Sequence, residues 1–187
     1  DCDIEITDKG REQALNLGRE IVKNQLRNRH FWFEFYVSPF TRTRQTFEII
    51  QSECSANHIN NLNTKFDVRL REREWGGLRN KIINKSHTNN DFTFFNRPLN
   101  GESFADCYNR VAQFGFELFT RLKREEKENE YNLCGLDQDI YIISHGEWIK
   151  LFLMWNNNQD FREFETTCKN FKIGNCEVIT TKMNREI

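Results

Sequence analysis

Four consecutive residues, Ile140-Tyr141-Ile142-Ile143, constrain the fold of this chain more than any other feature. A continuous apolar run of this length is the pattern of a strand buried on both faces of a sheet. Sheets covered on both faces are parallel ones, because the crossover helices lie on them. The segment that follows, Glu147 to Trp155, is apolar nearly all round and so predicts a buried helix.

The same alternation recurs along the chain. Helical periodicity runs from Asp8 to Leu26, with Ala14, Gly18, Ile21, Val22 and Gln25/Leu26 on one face and Thr7 as N-cap. Phe35-Tyr36-Val37 is a short β-prone run, and a second helix is predicted from Arg42 to Glu53. Lys65 to Leu70 reads as a strand, and so does Cys176 to Thr181. A long helix is predicted from Phe104 to Lys127, with Cys107, Tyr108, Val111, Phe114, Leu118 and Leu122 facing inward. Ser103 caps it, with Asp106 in the place of a capping-box acid. Asn clusters at 57–63, 89–96 and 156–158 read as surface loops. With no repeat and no linker, residues 1–187 are expected to form one domain of the α/β class, a three-layer α/β/α sandwich with a mostly parallel sheet.

Composition narrows the function classes. Lys+Arg (27) and Asp+Glu (28) nearly cancel, so no global field favours nucleic acid or an anionic membrane. The strongest apolar stretch, Ile149 to Trp155, contains Lys150 and is far shorter than the roughly 18 residues of a membrane span. The six cysteines form no CxxC pair and show no zinc spacing, the usage expected of reduced thiols in a cytoplasmic protein. Three convergent metal ligands cannot be assembled, and neither GxGxxG nor GxxxxGK[ST] occurs, so no metal and no cofactor is expected. Asp1-Cys2-Asp3-Ile4 reads like the interior of a longer chain.

The chemistry is expected where the strands end. In open α/β sheets the carboxyl ends of the strands form the ligand crevice. Past Phe35–Val37 comes Arg42, past Phe66–Leu70 comes Glu72, and past Ile140–Ile143 comes His145. An Arg in a first helical turn joins a guanidinium fork to backbone N–H groups and the positive helix end. A His directly before Gly146 lets imidazole and backbone approach an anion together, and a Glu beside an anion can carry the proton that a leaving alkoxide needs. The set suits a phosphate monoester. His30, His58 and His87 lie in polar surroundings and read as loop residues.

These segments resemble the histidine phosphatase (phosphoglycerate mutase-like) superfamily. Ile6-Thr7-Asp8-Lys9-Gly10 with Gln13-Ala14 is similar to its LTxxGxxQA element, and Ser38-Pro39-Phe40-Thr41-Arg42 through Thr46 to its SPxxRxxQT element. Arg69-Leu70-Arg71-Glu72-Arg73-Glu74-Trp75-Gly76 resembles RLxExxxG, Gly101-Glu102-Ser103 the GES element, and Ser144-His145-Gly146 the second-histidine motif. Gly174-Asn175-Cys176-Glu177 resembles a late loop that returns to the site. Phe94-Phe95-Asn96-Arg97-Pro98 and Phe152-Leu153-Met154-Trp155 are most similar to plant and fungal members.

The resemblance implies catalytic roles for Arg42, Glu72 and His145, and substrate-binding roles for Arg73, Gly146 and Asn175. It implies a phosphohistidine mechanism whose nucleophile, the His of an RHG motif on the first strand, is expected upstream of residue 1. It also implies a small phosphorylated substrate. Only about 25 residues separate Gly77 from Glu102, shorter than the insertion that covers the site in cofactor-dependent mutases, which favours a phosphatase. A phosphoglycerate mutase and a pseudophosphatase that binds phosphorylated ligands without turnover are the alternatives.

Overall fold

The computed structural model describes residues 3–28, 33–60, 62–84, 93–129 and 139–183. Cys2, His30, His87, Cys134 and the Asn-rich positions 89–92 lie outside the described residues. The chain forms two compact units, one of residues 1–71, 126–144 and 174–179, the other of residues 72–125, 145–173 and 180–187.

The first unit is built on α1 (Asp8–Asn28), β1 (Phe33–Val37), α2 (Thr41–Ala56), β2 (Leu62–Phe66) and β3 (Asp139–Ile143). The three strands are parallel, in the order β2-β1-β3. Thr7 caps α1 as expected, its Oγ1 accepting from the Gly10 amide at 3.1 Å. Alternation along β1 divides its residues between two environments. Phe35 and Val37 join Ile21, Val22, Phe47, Ile50 and Cys54 in one apolar cluster. Phe35 stacks on Tyr141 at 5.0 Å and tilts against Phe47 at 5.3 Å. Gly18 lets α1 and α2 approach closely, since a Cβ there would stand 3.3 Å from the Ile50 Cα. The alternate positions, Glu34, Tyr36 and Ser38, are also buried. Glu34 is 0% exposed. It accepts from Lys65 Nζ at 2.6 Å and Asn63 Nδ2 at 3.2 Å on the neighbouring strand.

Three expectations for the strands need correction. The second strand ends at Phe66, four residues early, because the Asp67 carboxylate accepts from the Arg69 amide at 2.8 Å and turns the chain into a 3-10 helix over Val68–Leu70. The run at 140–143 is a strand, but its residues are half-buried rather than covered on both faces, for it pairs with β1 alone among the described residues. Cys176 to Thr181 is irregular chain with no strand partner among the described residues; the positive φ of Cys176 bends it away from extended backbone.

The second unit is helical, with α3 (Leu78–Ile83), α4 (Phe104–Asn129), α5 (Gly146–Asn156) and α6 (Phe161–Asn170). Cys107, Val111, Phe114 and Leu118 are buried on α4, as their spacing predicts, while Tyr108 and Leu122 are half-buried. Helix α5 buries Trp148, Leu151, Phe152, Met154 and Trp155, and Trp148 meets Phe114 edge-on at 5.6 Å. Gly115 sits where α4 crosses Trp155: a Cβ would fall 2.6 Å from the indole. Phe94 packs among Phe104, Tyr108, Phe161 and Phe164. No helix of the described residues is long and apolar enough to cross a membrane.

Candidate active site

In the first unit the register aligns the ends of the strands, because Val37 stands opposite Phe66 on one side and Ile143 on the other. The ladder continues one step further, with Ser38 N–H donating to Ile143 O at 2.9 Å and Asp67 N–H to Val37 O at 3.1 Å. Ser144 Oγ then donates to Leu70 O at 2.7 Å. That bond ties together two of the places where the chain leaves this unit, one just before Glu72 and the other just before His145.

Arg42 belongs to the first unit, in the first turn of α2, half-buried with its guanidinium carbon 5.1 Å from the Phe40 ring centroid. Asn175 belongs to the same unit and is exposed in a turn beside Gly174, whose amide donates to the Glu177 carboxylate. Glu72, Arg73, His145 and Gly146 belong to the second unit.

The beginnings of the five longer helices separate into two kinds. Helices α1, α4 and α6 open on side-chain caps. Thr7 serves α1, Ser103 and Asp106 cap α4 reciprocally at 2.8 and 3.1 Å, and Asp160 accepts from Arg162 and Glu163 at 2.8 and 2.9 Å. Helix α2 begins after Phe40 and helix α5 after His145, and neither of those residues makes a side-chain cap hydrogen bond. A missing cap costs about 1 kcal/mol and leaves first-turn amides directed outward, which is the arrangement that binds an oxyanion. His145, 5% exposed, carries the extended N-cap backbone, and its carbonyl accepts from Ile149 N–H at 2.9 Å.

Within the second unit, Glu72 and Arg73 are held by two interlocked loops. Gly77 N–H donates to Leu99 O at 2.7 Å and Glu102 N–H to Glu74 O at 2.8 Å. Gly76 has a φ of +48°, and its Cα lies so close to the other loop that a Cβ would come within 2.3 Å of Leu99 O. Arg73 N–H donates to Glu72 Oε1 at 3.0 Å. The Arg73 guanidinium lies between the rings of Trp75 and Phe104, 4.1 Å from each centroid, and Nη1 donates to Glu102 O at 3.0 Å. Burial pulls its pKa below the ordinary range, against the opposing pull of Glu147, Cys107, Glu72 and Glu102. Arg110 completes the network by gripping Glu102 through Nε at 3.2 Å and Nη2 at 3.0 Å, and Nη2 also donates to Glu72 O at 3.1 Å.

Sequence reasoning missed Arg110, Glu102 and Glu147 as members of this network. The signal for Arg110 was present: a guanidinium between Cys107, Val111 and Phe114 on the apolar face of α4 requires a buried partner. His58, exposed with φ +64° just past α2, is the loop residue expected. Among the described residues no group of three or more His, Cys, Asp or Glu side chains is placed to hold a metal ion.

Residues 1–186 match the family model of the histidine phosphatase superfamily (branch 1). Phosphoglycerate mutase-like protein AT74H of Arabidopsis thaliana is 28% identical over 188 residues, an overlap of 95% of this chain and 63% of that protein. The broad-range acid phosphatase DET1 of Saccharomyces cerevisiae is 29% identical over 107 residues, covering 54% of this chain and 30% of its own length. The chain therefore spans less than two thirds of these relatives. Among solved structures, mycobacterial glucosyl-3-phosphoglycerate phosphatase in complex with inorganic phosphate has a TM-score of 0.64 at 20% identity, over 88% of this chain and 74% of that one. At that identity the likeness is one of fold, the α/β phosphoglycerate mutase-like fold.

Proposed function

The chain belongs to the histidine phosphatase superfamily, and from that premise we propose that it is a phosphomonoester hydrolase acting through a phosphohistidine intermediate. The observation that carries the reading is the contrast among helix beginnings. Of the five helices longer than one or two turns, the two that forgo side-chain caps are the two that begin at Arg42 and at His145, where amides left for an anion serve a purpose. The aligned strand ends of the first unit support it, since the chain proceeds from that one edge toward all three residues.

The nucleophile is a histidine on a segment preceding residue 1. The state of β3 supports such a segment: among the described residues it pairs with β1 alone, and its apolar run 140–143 is half-buried, as suits a neighbour of a further strand. In the first step the imidazole attacks phosphorus, an N–P bond forms, and the ester P–O bond breaks while Glu72 gives its proton to the leaving oxygen. In the second, water attacks phosphorus as Glu72 takes the water's proton, a P–O bond forms, and the N–P bond breaks, returning the imidazole and releasing orthophosphate. Arg42 and His145 hold the non-bridging oxygens throughout, and Gly146 adds backbone amide contact.

Removing one donor to a transition-state oxyanion costs about 3–4 kcal/mol, or two to three orders of magnitude. Arg42→Ala and His145→Ala in the full-length protein should therefore each reduce phosphomonoester turnover by at least about a hundredfold. Near wild-type turnover in either would refute the assignment. With 2,3-bisphosphoglycerate added, the protein should hydrolyse 3-phosphoglycerate-type esters without 3-to-2 isomerisation; robust isomerisation would assign it to the mutases instead.

A further inference from the structure

Arg73 is 1% exposed, yet its Nε and Nη2 have no hydrogen-bond partner, and neither has Glu147 Oε2. Two orphaned donors and an orphaned acceptor inside one unit are costly unless they serve one another across a bridging water. Lys150 Nζ lies 3.6 Å from Glu147 Oε1, which leaves Oε2 for that purpose. Among the carboxylates acting on Arg73, Glu147 acts most strongly, ahead of Glu72 and Glu102.

Arg73 also stands next to the proposed acid, its own amide donating to Glu72 Oε1 at 3.0 Å. An uncompensated cation beside a carboxyl lowers its pKa by about 1–3 units, which would strip Glu72 of the proton that a leaving oxygen needs. We propose that Glu147 is a positioning residue: it is the counter-charge that engages the Arg73 guanidinium from helix α5 and so lets Glu72 keep its proton. The inference rests on Glu72 serving as the acid of the phosphatase reaction.

The surrounding charges are consistent with this division. Arg110 is occupied by the Glu102 carboxylate and the Glu72 carbonyl. Burial raises the Cys107 thiol to about 12, so it is neutral and offers Arg73 no counter-charge. Trp75 and Phe104 clamp the guanidinium from both faces, restricting its approach to carboxylates to its edge. His145 precedes Glu147 by two residues at the head of α5, while Lys150 lies on the helix beyond it.

The test compares kcat/KM of the full-length protein on two probes. β-Glycerophosphate loses an alkoxide that must be protonated; p-nitrophenyl phosphate loses a phenolate that leaves without a proton. Glu147→Gln should lower the rate on β-glycerophosphate about tenfold, keep that on p-nitrophenyl phosphate within about twofold, and move the basic limb of the β-glycerophosphate pH profile about one unit toward acid. Glu147→Asp, which keeps the charge, should restore most of the loss. Adding Arg73→Met to Glu147→Gln removes the unbalanced cation and should return the ratio of the two rates toward wild type. Equal losses on both probes, or an unmoved basic limb, would overturn the role of Glu147 and leave the hydrolase reading standing. A wild-type protein that hydrolyses neither probe overturns both. Should Glu147→Gln fail to fold, the double variant decides: a restored ratio supports the role, and a reduced one overturns it.

Discussion

Substituting Gly76 by Ala tests whether the interlock of two loops governs the geometry around Glu72. Gly76 sits at φ +48°, where an Ala costs about 1 kcal/mol from backbone strain alone. The added Cβ would stand 2.3 Å from Leu99 O, 2.6 Å from Asn100 C and 2.6 Å from Gly101 N. All three are backbone atoms, so no side chain can swing away and the loops must part. Parting them stretches the 2.7 Å bond from Gly77 N–H to Leu99 O and the 2.8 Å bond from Glu102 N–H to Glu74 O, each worth about 1 kcal/mol. The expected destabilisation is about 3 kcal/mol, read as a lower urea midpoint at unchanged m-value and a Tm lower by about 10 °C. Gly77→Ala supplies the control, because its Cβ would meet Leu99 O at 3.5 Å, an ordinary contact, and should cost under about 1 kcal/mol. Equal midpoints for the two variants would refute the interlock as the element that positions Glu72 and Arg73.

Gly115→Ala should destabilise by about 1–3 kcal/mol despite the better helix propensity of Ala, because the Trp155 ring has no room to yield; a stabilised variant in thermal melts would contradict that packing. Burial pushes the Asp67 and Asp106 carboxyls up, but hydrogen bonds from Arg69 to the first, and from Arg97 and Ser103 to the second, outweigh it and hold both below the ordinary value. Their stabilisation is therefore complete above an unfolded carboxyl pKa of about 4 and disappears as pH falls through the lower folded values; the urea midpoint should drop below about pH 4, and less steeply in Asp67→Asn. The Cys107 thiol, raised to about 12 by burial, should resist iodoacetamide at pH 8 in the folded protein and react once the protein is unfolded in urea, as mass spectrometry would show.

What the sequence disclosed follows physical lines. Helices α1 and α4 were legible because each pairs a long apolar stripe with a cap at its start, Thr7 and the Ser103–Asp106 box, and α5 because its sequence is apolar nearly all round. Strand β1 was legible only in part: Phe35 and Val37 show its apolar face, but the burial of Glu34 depends on Lys65 and Asn63 across the ladder, a non-local pairing that no window reveals. The end of β2 was missed because Val68 and Leu70 look β-prone while the deciding atom is the Asp67 carboxylate. Cys176 to Thr181 failed for a different reason, since its apolar residues carry a strand pattern without a strand beside them among the described residues. At the site, residue types at the strand exits pointed to Arg42, Glu72 and His145. The Arg110–Glu102 grip was hidden, because a charge on an apolar stripe declares only that a partner exists.

Buried charges in this chain differ in how fully their polar atoms are satisfied. Glu34 and Arg110 are both buried charges, and each is closed by an opposite charge within 3.0 Å. Pairs of that kind can hold the protein together without taking part in chemistry, and a well-packed apolar replacement for both partners of either pair would be tolerated. Arg73 and Glu147 are different, for both carry atoms left open in the interior. The starts of α2 and α5 are open in the same sense, while α1, α4 and α6 are closed. Gln25 Oε1, Arg121 Nε and Trp155 Nε1 are also left open, although Gln25 Nε2 reaches Asp139 at 3.0 Å and Tyr141 at 3.3 Å and Arg121 Nη1 reaches Glu125 at 2.8 Å. Open groups at Arg73, Glu147 and the two helix starts lie within a few residues of Arg42, Glu72 and His145 in sequence. A chain optimised for stability alone would have closed them with a Ser or Asp at 40 and 145 and an apolar side chain at 73 and 147. Leaving all four open costs several kcal/mol in caps and orphaned donors, and the proposed hydrolase reaction would give each of them a use.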